Sequence, residues 1–238
     1  MAEFVYNGKN VSITAPALEG NIVSKLESGR FYEQKFLEYI ASLNKKGLYL
    51  DVGGNIGNHT VFFANFTKAT EVMSFEPHPE VFKSLKKNVK ANDPKKKVKL
   101  KHMALGEEEG SVQIEEAESD KLGGSRVKKG GDIPMKRLDD VVGKNKVSVI
   151  KVDVEGFEEA VLRGATAVLK RDKPELFLEA GTAADKEKIE AVISEFGYVP
   201  VKAYNNTATY HYSTKIKPNK LEYMLTTPYL VRRLLRNS

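Results

Sequence analysis

Residues 47–64 read GLYLDVGGNIGNHTVFFA, and the rest of the chain is read outward from this stretch. LYLDV (48–52) is a short apolar run bounded by turn residues, the mark of a buried strand. NHTVFFANFT (58–67) begins a helix. Between them, Gly53 allows a tight turn and a close backbone approach, and Gly57 lets the helix start close against the sheet. The spacing is not that of the G-x-G-x-x-G dinucleotide fingerprint. An acid at the strand end, Asp51, would repel a diphosphate and welcome a cationic amino-acid ligand.

The same alternation continues downstream. EVMSFE (71–76) reads as a second strand, and HPEVFKSLKKNVKAN (78–92) as a helix with Pro79 in its first turn. KVKLKHMAL (97–105) is a third strand and VSVIKVDVE (147–155) a fourth, followed by one helix over FEEAVLRGATAVLK (157–170). PELFLEA (174–180), AADKEKIEAVISEFG (183–197) and YVPVKA (198–203) add a strand, a helix and a sixth strand. TATYHYS (207–213) and LEYMLTT (221–227) alternate like an antiparallel pair. Upstream, EFVYNGKNVSITA reads as a hairpin around Asn7-Gly8, and residues 31–43 carry apolar residues at helical spacing. The fold class is therefore α/β: a mostly parallel twisted sheet, Rossmann-like, with helices on both faces and an antiparallel C-terminal strand pair. Residues 103–146, richer in Gly, Ser and charge, read as a long excursion near the substrate.

The chain of 238 residues is expected to form one domain. Residues 1–45 would be a hairpin and helices covering the cofactor site, 46–225 the core, and 226–238 a basic tail. No window approaches the roughly 18 apolar residues of a membrane span, and the N-terminus has no signal-peptide core. A cytoplasmic protein is expected. The chain has no cysteine, so disulfides and thiolate zinc sites are excluded. The net charge of +6 is concentrated in 86–101, 126–129 and 231–236, the first of which is accounted for by a solvated helix face.

Glu76 ends the second strand, where a carboxylate can accept hydrogen bonds from both hydroxyls of a ribose. Acids at the ends of two adjacent strands, with small residues between, describe a pocket for a nucleoside that carries positive charge. S-adenosylmethionine is such a molecule.

LDVGGNIGNHTVFFA and SFEPHPEVFKSLKKNV resemble the first two cofactor motifs of class I S-adenosylmethionine-dependent methyltransferases, and VIKVDVEGFEEAVLRGA resembles the signature of the FkbM-type family. The resemblance runs from about residue 30 to about 200. It implies that Asp51, Gly53, Asn55 and Gly57 surround the methionine part and ribose, that Glu76 holds the ribose, and that Pro77 and His78 lie beside the adenine. It places Ala104 and Leu105, in MALGE, against the base. Tyr32 and Glu33 match a helix position that closes over the cofactor, and Ser125, in GGSR, matches a loop near the site. The implied acceptor is a hydroxyl of a sugar, glycan or glycosylated small molecule.

Asp153 and Glu155 stand at the end of strand four, with Gly156 leaving room beside them. Asp153 is the first candidate base for the acceptor hydroxyl and a cofactor contact, and Glu155 the second; helix capping is the alternative for both. Glu179 is a third acid on the same sheet edge, so a divalent metal, Mg or Mn, on Asp153 and Glu179 is considered, although the ligand set is thin. His59 and His78 either line the pocket or cap helices. His102 reads as structural within strand three, and His211 either stacks on an acceptor with Tyr210 and Tyr212 or packs in the sheet. Nucleic acid is an alternative acceptor, without the Asn/Asp-Pro-Pro-aromatic motif of base-amine methylation. A non-catalytic binding module and a nicotinamide dehydrogenase are the other readings weighed.

Overall fold

The computed structural model describes residues 1–15, 21–93, 95–115, 126–205 and 207–216. Strands β1 (Ala2–Tyr6) and β2 (Lys9–Ile13) form the N-terminal hairpin. Tyr6 pairs with Lys9. Asn7 and Gly8 have φ of 45° and 76°, the two positive values that a two-residue type I′ turn requires. Helices α1 (Asn21–Glu27) and α2 (Gln34–Ser42) follow. The apolar pattern at 31–43 thus becomes helical only from Gln34, because Glu33 sits in the left-handed region at φ 57°.

The chain then lays down β3 (Gly47–Val52), α3 (Asn58–Phe66), β4 (Ala69–Phe75), α4 (Pro79–Asn92) and β5 (Val98–Lys101). Next come β6 (Ala104–Leu105), β7 (Gly110–Glu115), β8 (Arg126–Lys129), β9 (Ile133–Lys136) and α5 (Leu138–Val142). It returns through β10 (Val147–Val152), α6 (Glu158–Arg163), α7 (Thr166–Asp172), β11 (Glu175–Ala180), α8 (Ala183–Ile193), β12 (Val199–Tyr204) and β13 (Ala208–Ser213).

Seven strands form one sheet in the order β12-β13-β11-β10-β3-β4-β5. β13 is antiparallel to both its neighbours, and β11, β10, β3, β4 and β5 pair in parallel. From β3 the chain steps outward to β4 and β5, then crosses to β10 on the other side of β3. The strand order reverses there, and such a switch point opens a crevice at the carboxyl ends of the strands.

Alternation along each strand divides the core. Leu50, Ile150, Val152, Leu176 and Leu178 face a cluster with Leu162, Leu169 and Ile189. Tyr49, Val149 and Phe177 face the opposite cluster, with Phe36, Phe62 and Phe63. Asp51 and Lys151 occupy that second face two residues beyond Tyr49 and Val149, in register with each other. The apolar period thus runs directly into charge as the strands approach their carboxyl ends.

Three expectations are corrected. The strand expected over 97–105 is two: β5 ends at Lys101, and Ala104–Leu105 pair with β9 in a separate four-stranded sheet, β6-β9-β7-β8, built from the excursion. His102 therefore lies between strands, exposed, stacked on Phe82 with Nε2 3.1 Å from the Pro77 carbonyl. The helix expected over 157–170 is broken into α6 and α7 at Gly164–Ala165. Gly164 packs against the Gly106 carbonyl, where a Cβ would collide, and its own carbonyl accepts from Asp139 N–H. TATYHYS is inserted between β11 and β12, which supplies the antiparallel pair; its expected partner, 221–227, and the basic tail lie outside the described residues. Among the described residues no helix is long and apolar enough to cross a membrane.

Candidate active site

The carboxyl ends of β3, β4 and β10 open onto a cleft of about 1000 Å³, its mouth included. Gly53, Asn55, Glu76, Pro77, Ala104, Leu105, Asp153 and Glu155 all line it, together with Tyr32, His59 and His78. Asp51, Gly57, Glu33 and Glu179 do not line it. Ser125 lies outside the described residues.

The glycine turn is set by backbone demands. Gly53 has φ 78°, and a Cβ on it would run into the Asp153 carbonyl. The N–H groups of Gly53 and Gly54 both donate to the Phe75 carbonyl, at 3.0 and 2.9 Å. Asn55 takes a left-handed φ of 47°, which Asn tolerates better than most residues, and its Oδ1 accepts from Ile56 N–H. Gly57 has φ 92° and starts α3 against Leu85 of α4. Gly53→Ala is expected to lower stability by more than about 2 kcal/mol, a left-handed backbone and a steric collision acting together. Urea unfolding measures this, and a variant as stable as the parent would contradict the close approach.

Glu76, after β4, is the carboxylate of this turn. Its Oε2 accepts from Asn55 N–H and its Oε1 from His78 N–H, both at 2.9 Å. Burial pushes its carboxyl up to about 7, against the pull of those two N–H groups and of Lys151. His78 caps α4, its Nδ1 accepting from Glu80 N–H, so it both caps a helix and lines the cleft.

On the other side of β3, Lys151 is buried in the centre of an ionic group. Its Nζ lies 3.2 Å from Asp153 and 3.5 Å from Asp51, and donates to the Gly53 carbonyl at 3.1 Å. The cation that Asp51 meets is thus Lys151. Its other oxygen accepts from Thr60 Oγ1, which also bonds Ser74. Burial opposes the lysine's charge, but Asp153 and Asp51 outweigh it and hold the ammonium above its ordinary range.

Asp153, Glu155 and Glu179 each offer a carboxylate oxygen within 4.8 Å of the others. Glu179 is raised by burial and by its hydrogen bond to Asp153. Burial also disfavours the Asp153 charge, but Lys151 outweighs it and keeps that carboxyl low. The two carboxyls are thus pushed apart, Asp153 toward its ionised form and Glu179 toward its protonated form. This donor set is a poor fit for a divalent cation, since the Lys151 ammonium already sits 3.2 Å from Asp153. The capping alternative for Asp153 and Glu155 is not realised, since the N-cap of α6 is Phe157 without a side-chain cap bond; Glu158 Oε1 accepts from Val154 and Gly156 N–H in the loop before the helix. Glu155 is instead held at φ 53°, a conformation uncommon outside Gly and Asn.

The N-terminal segment closes one side. Tyr32 lines the cleft, its hydroxyl pushed up to about 12 by burial and by the charges of Glu33 and Asp153. Glu33 Oε2 lies 3.1 Å from His59 Nε2. Phe75, Val81, Ala104 and Leu105 supply apolar wall, continued by Ile114, Val127 and Phe157. His211 is fully buried, stacked on Phe177, and bonded to Tyr39 and Glu175, so it packs in the sheet and does not face the cleft.

Sequence reading passed over Lys151, Glu158 and Asn58. A signal for Lys151 was present: it is the single charge inside the apolar run VSVIKV, two residues before Asp153. Glu158 and Asn58 act on backbone atoms, and no spacing rule announces such contacts.

The FkbM methyltransferase domain model matches residues 51–200. Methyltransferase sdnD of Sordaria araneosa is 27% identical over 192 residues, covering 64% of this chain and 74% of its own. The hexuronic acid methyltransferase AglP of Haloferax volcanii is 31% identical over 150 residues, covering 61% of this chain and 60% of its own. The crystal structure of a methyltransferase FkbM from Methylobacillus flagellatus KT superposes with a TM-score of 0.52 at 18% identity, over 71% of this chain and 43% of that one.

Proposed function

The chain belongs to the FkbM methyltransferase-domain family, and from that membership we propose an S-adenosylmethionine-dependent O-methyltransferase acting on a hydroxyl of a sugar, glycan or glycosylated small molecule. One observation carries the reading: Glu76 and Asp153 end the two strands that flank β3, and both line the cleft over its glycine turn. The residues fit the cofactor. Gly53 lets the turn lie close against the Asp153 backbone, Glu76 offers lone pairs to ribose hydroxyls, and Ala104 and Leu105 give an apolar surface for the base. When bound, the cofactor supplies an electrophilic methyl group.

The protein's part is position and proton removal. Asp153, ionised and anchored by Lys151, accepts the hydrogen bond of the acceptor hydroxyl and takes its proton as the new oxygen–carbon bond forms. Glu155 stands beside it at the mouth. The name of AglP supports a sugar acceptor.

The first test is calorimetry with S-adenosylmethionine and S-adenosylhomocysteine. Micromolar binding is expected, and no binding to either overturns the reading. Labelled methyl transfer is expected into glycosides; transfer into RNA alone would overturn the acceptor class.

Glu76 adds a pH dependence. Its folded pKa is raised, so its own contribution to apo stability is complete below about 4.5 and is lost as pH rises through about 7. Ribose hydroxyls favour the ionised form, so binding releases a proton. Affinity is expected to be about tenfold tighter at pH 8 than at pH 6. Glu76→Gln should bind about 10- to 100-fold more weakly and lose that slope. A flat profile in the parent protein would remove Glu76 from the ribose.

A further inference from the structure

Three asparagine side chains tie the N-terminal segment to the two helices that follow β3 and β4, and each does so with a two-way bond to one residue's N–H and C=O. Asn92 of α4 accepts from Ser12 N–H and donates to the Ser12 carbonyl, at 3.0 and 2.6 Å. Asn88 does the same for Thr14 and donates also to the Ile56 carbonyl, in the turn before α3. Asn58, the first residue of α3, accepts from Tyr32 N–H and donates to the Tyr32 carbonyl, both at 3.0 Å. An amide has the donor and acceptor of a peptide group, so each pair repeats the hydrogen-bonded pair of an antiparallel ladder.

The three pairs are chemically alike but differently placed. Asn58 and Tyr32 both line the cleft, while Asn92 and Ser12 do not. Asn58 is buried, so neither half of its bond is readily replaced by water. Tyr32 is connected to the rest of the site through Glu33, whose Oε2 lies 3.1 Å from Nε2 of His59, one residue further along α3. The peptide that carries the Tyr32 ring is thus seated on the same turn that carries the glycine loop into α3.

We propose that Asn58 is a positioning residue of this site, its amide fixing the Tyr32 peptide so that the tyrosine ring forms the wall of the nucleoside cleft. The proposal rests on the function put forward above. Asn58 acts through Tyr32, so its contribution to binding vanishes once the ring is gone. Asn92 contributes the same kind of bond to folding alone.

The experiment is a double-mutant cycle read by calorimetry with S-adenosylhomocysteine, alongside thermal unfolding. Asn58→Ala and Tyr32→Ala are each expected to weaken binding about tenfold, and the double variant no more than the weaker single. Asn92→Ala is expected to lower Tm as much as Asn58→Ala yet bind within about twofold of the parent. Asn58→Ser, too short to make both bonds and well tolerated at a helix start, stands in if the alanine variant does not fold. Additive losses in the double variant, an unchanged affinity in Asn58→Ala, or an equal loss in Asn92→Ala would each overturn the positioning role. A parent protein that binds no nucleoside overturns the underlying function, and is recognised before any variant is compared.

Discussion

Lys151→Met is expected to destabilise the protein by about 3–5 kcal/mol, because it leaves the fully buried Asp51 and the half-buried Asp153 facing each other without a cation. Asp51 is fully buried and Lys151 nearly so, with the ammonium between two carboxylates and the Gly53 carbonyl. Methionine keeps the length of the side chain and its apolar stem, so lost packing contributes little and lost charge dominates. The double variant Lys151→Met/Asp51→Asn removes one charge of each sign and is expected to recover more than half of the loss. Urea unfolding of the single and double variants measures both effects. A Lys151→Met variant as stable as the parent, or a double variant no better than the single, would show that this group does not carry the stability assigned to it.

Asp153→Asn is expected to cut turnover by about 10²- to 10⁴-fold while S-adenosylmethionine binds within about threefold of the parent. Asparagine matches the shape of the aspartate and can still meet Glu179 and Lys151, but it cannot take a proton. A carboxyl held low by Lys151 is a weak base toward a free alcohol. That suits a reaction in which the hydroxyl becomes strongly acidic only as its oxygen bonds to carbon, so that proton transfer comes late and runs downhill. The carboxylate's main service before then is to hold the hydroxyl in line. Single-turnover rates together with calorimetry separate the two parts. Parent-like turnover would transfer the role to Glu155, and a large loss of cofactor affinity would make Asp153 a binding residue.

How far the site could be read from the sequence differs residue by residue. Gly53 and Asn55 were legible because positive φ restricts which residues can stand there. Glu76 and Asp153 were legible because an acid after an apolar run must lie at a strand end, and in this topology strand ends form the crevice. Asp51 sits one residue before its strand's end, so pleating turns it from the cleft toward Lys151. Its acidity was readable, and its direction was not. The helix at 157–170 was interrupted by the approach of the Gly106 carbonyl to Gly164, a contact across 58 residues that local periodicity cannot register.

By itself, the sequence determined the α/β alternation, the glycine turn and the acids at two strand ends, because strand period, helix period and backbone sterics are local properties of the chain. Only the tertiary structure decided which carboxyl is pushed toward its ionised form, which toward its protonated form, and which asparagine bonds Tyr32. Those outcomes depend on burial and on charges a few ångströms away, brought together from β3, β10, β11 and the N-terminal segment by the parallel register of the sheet.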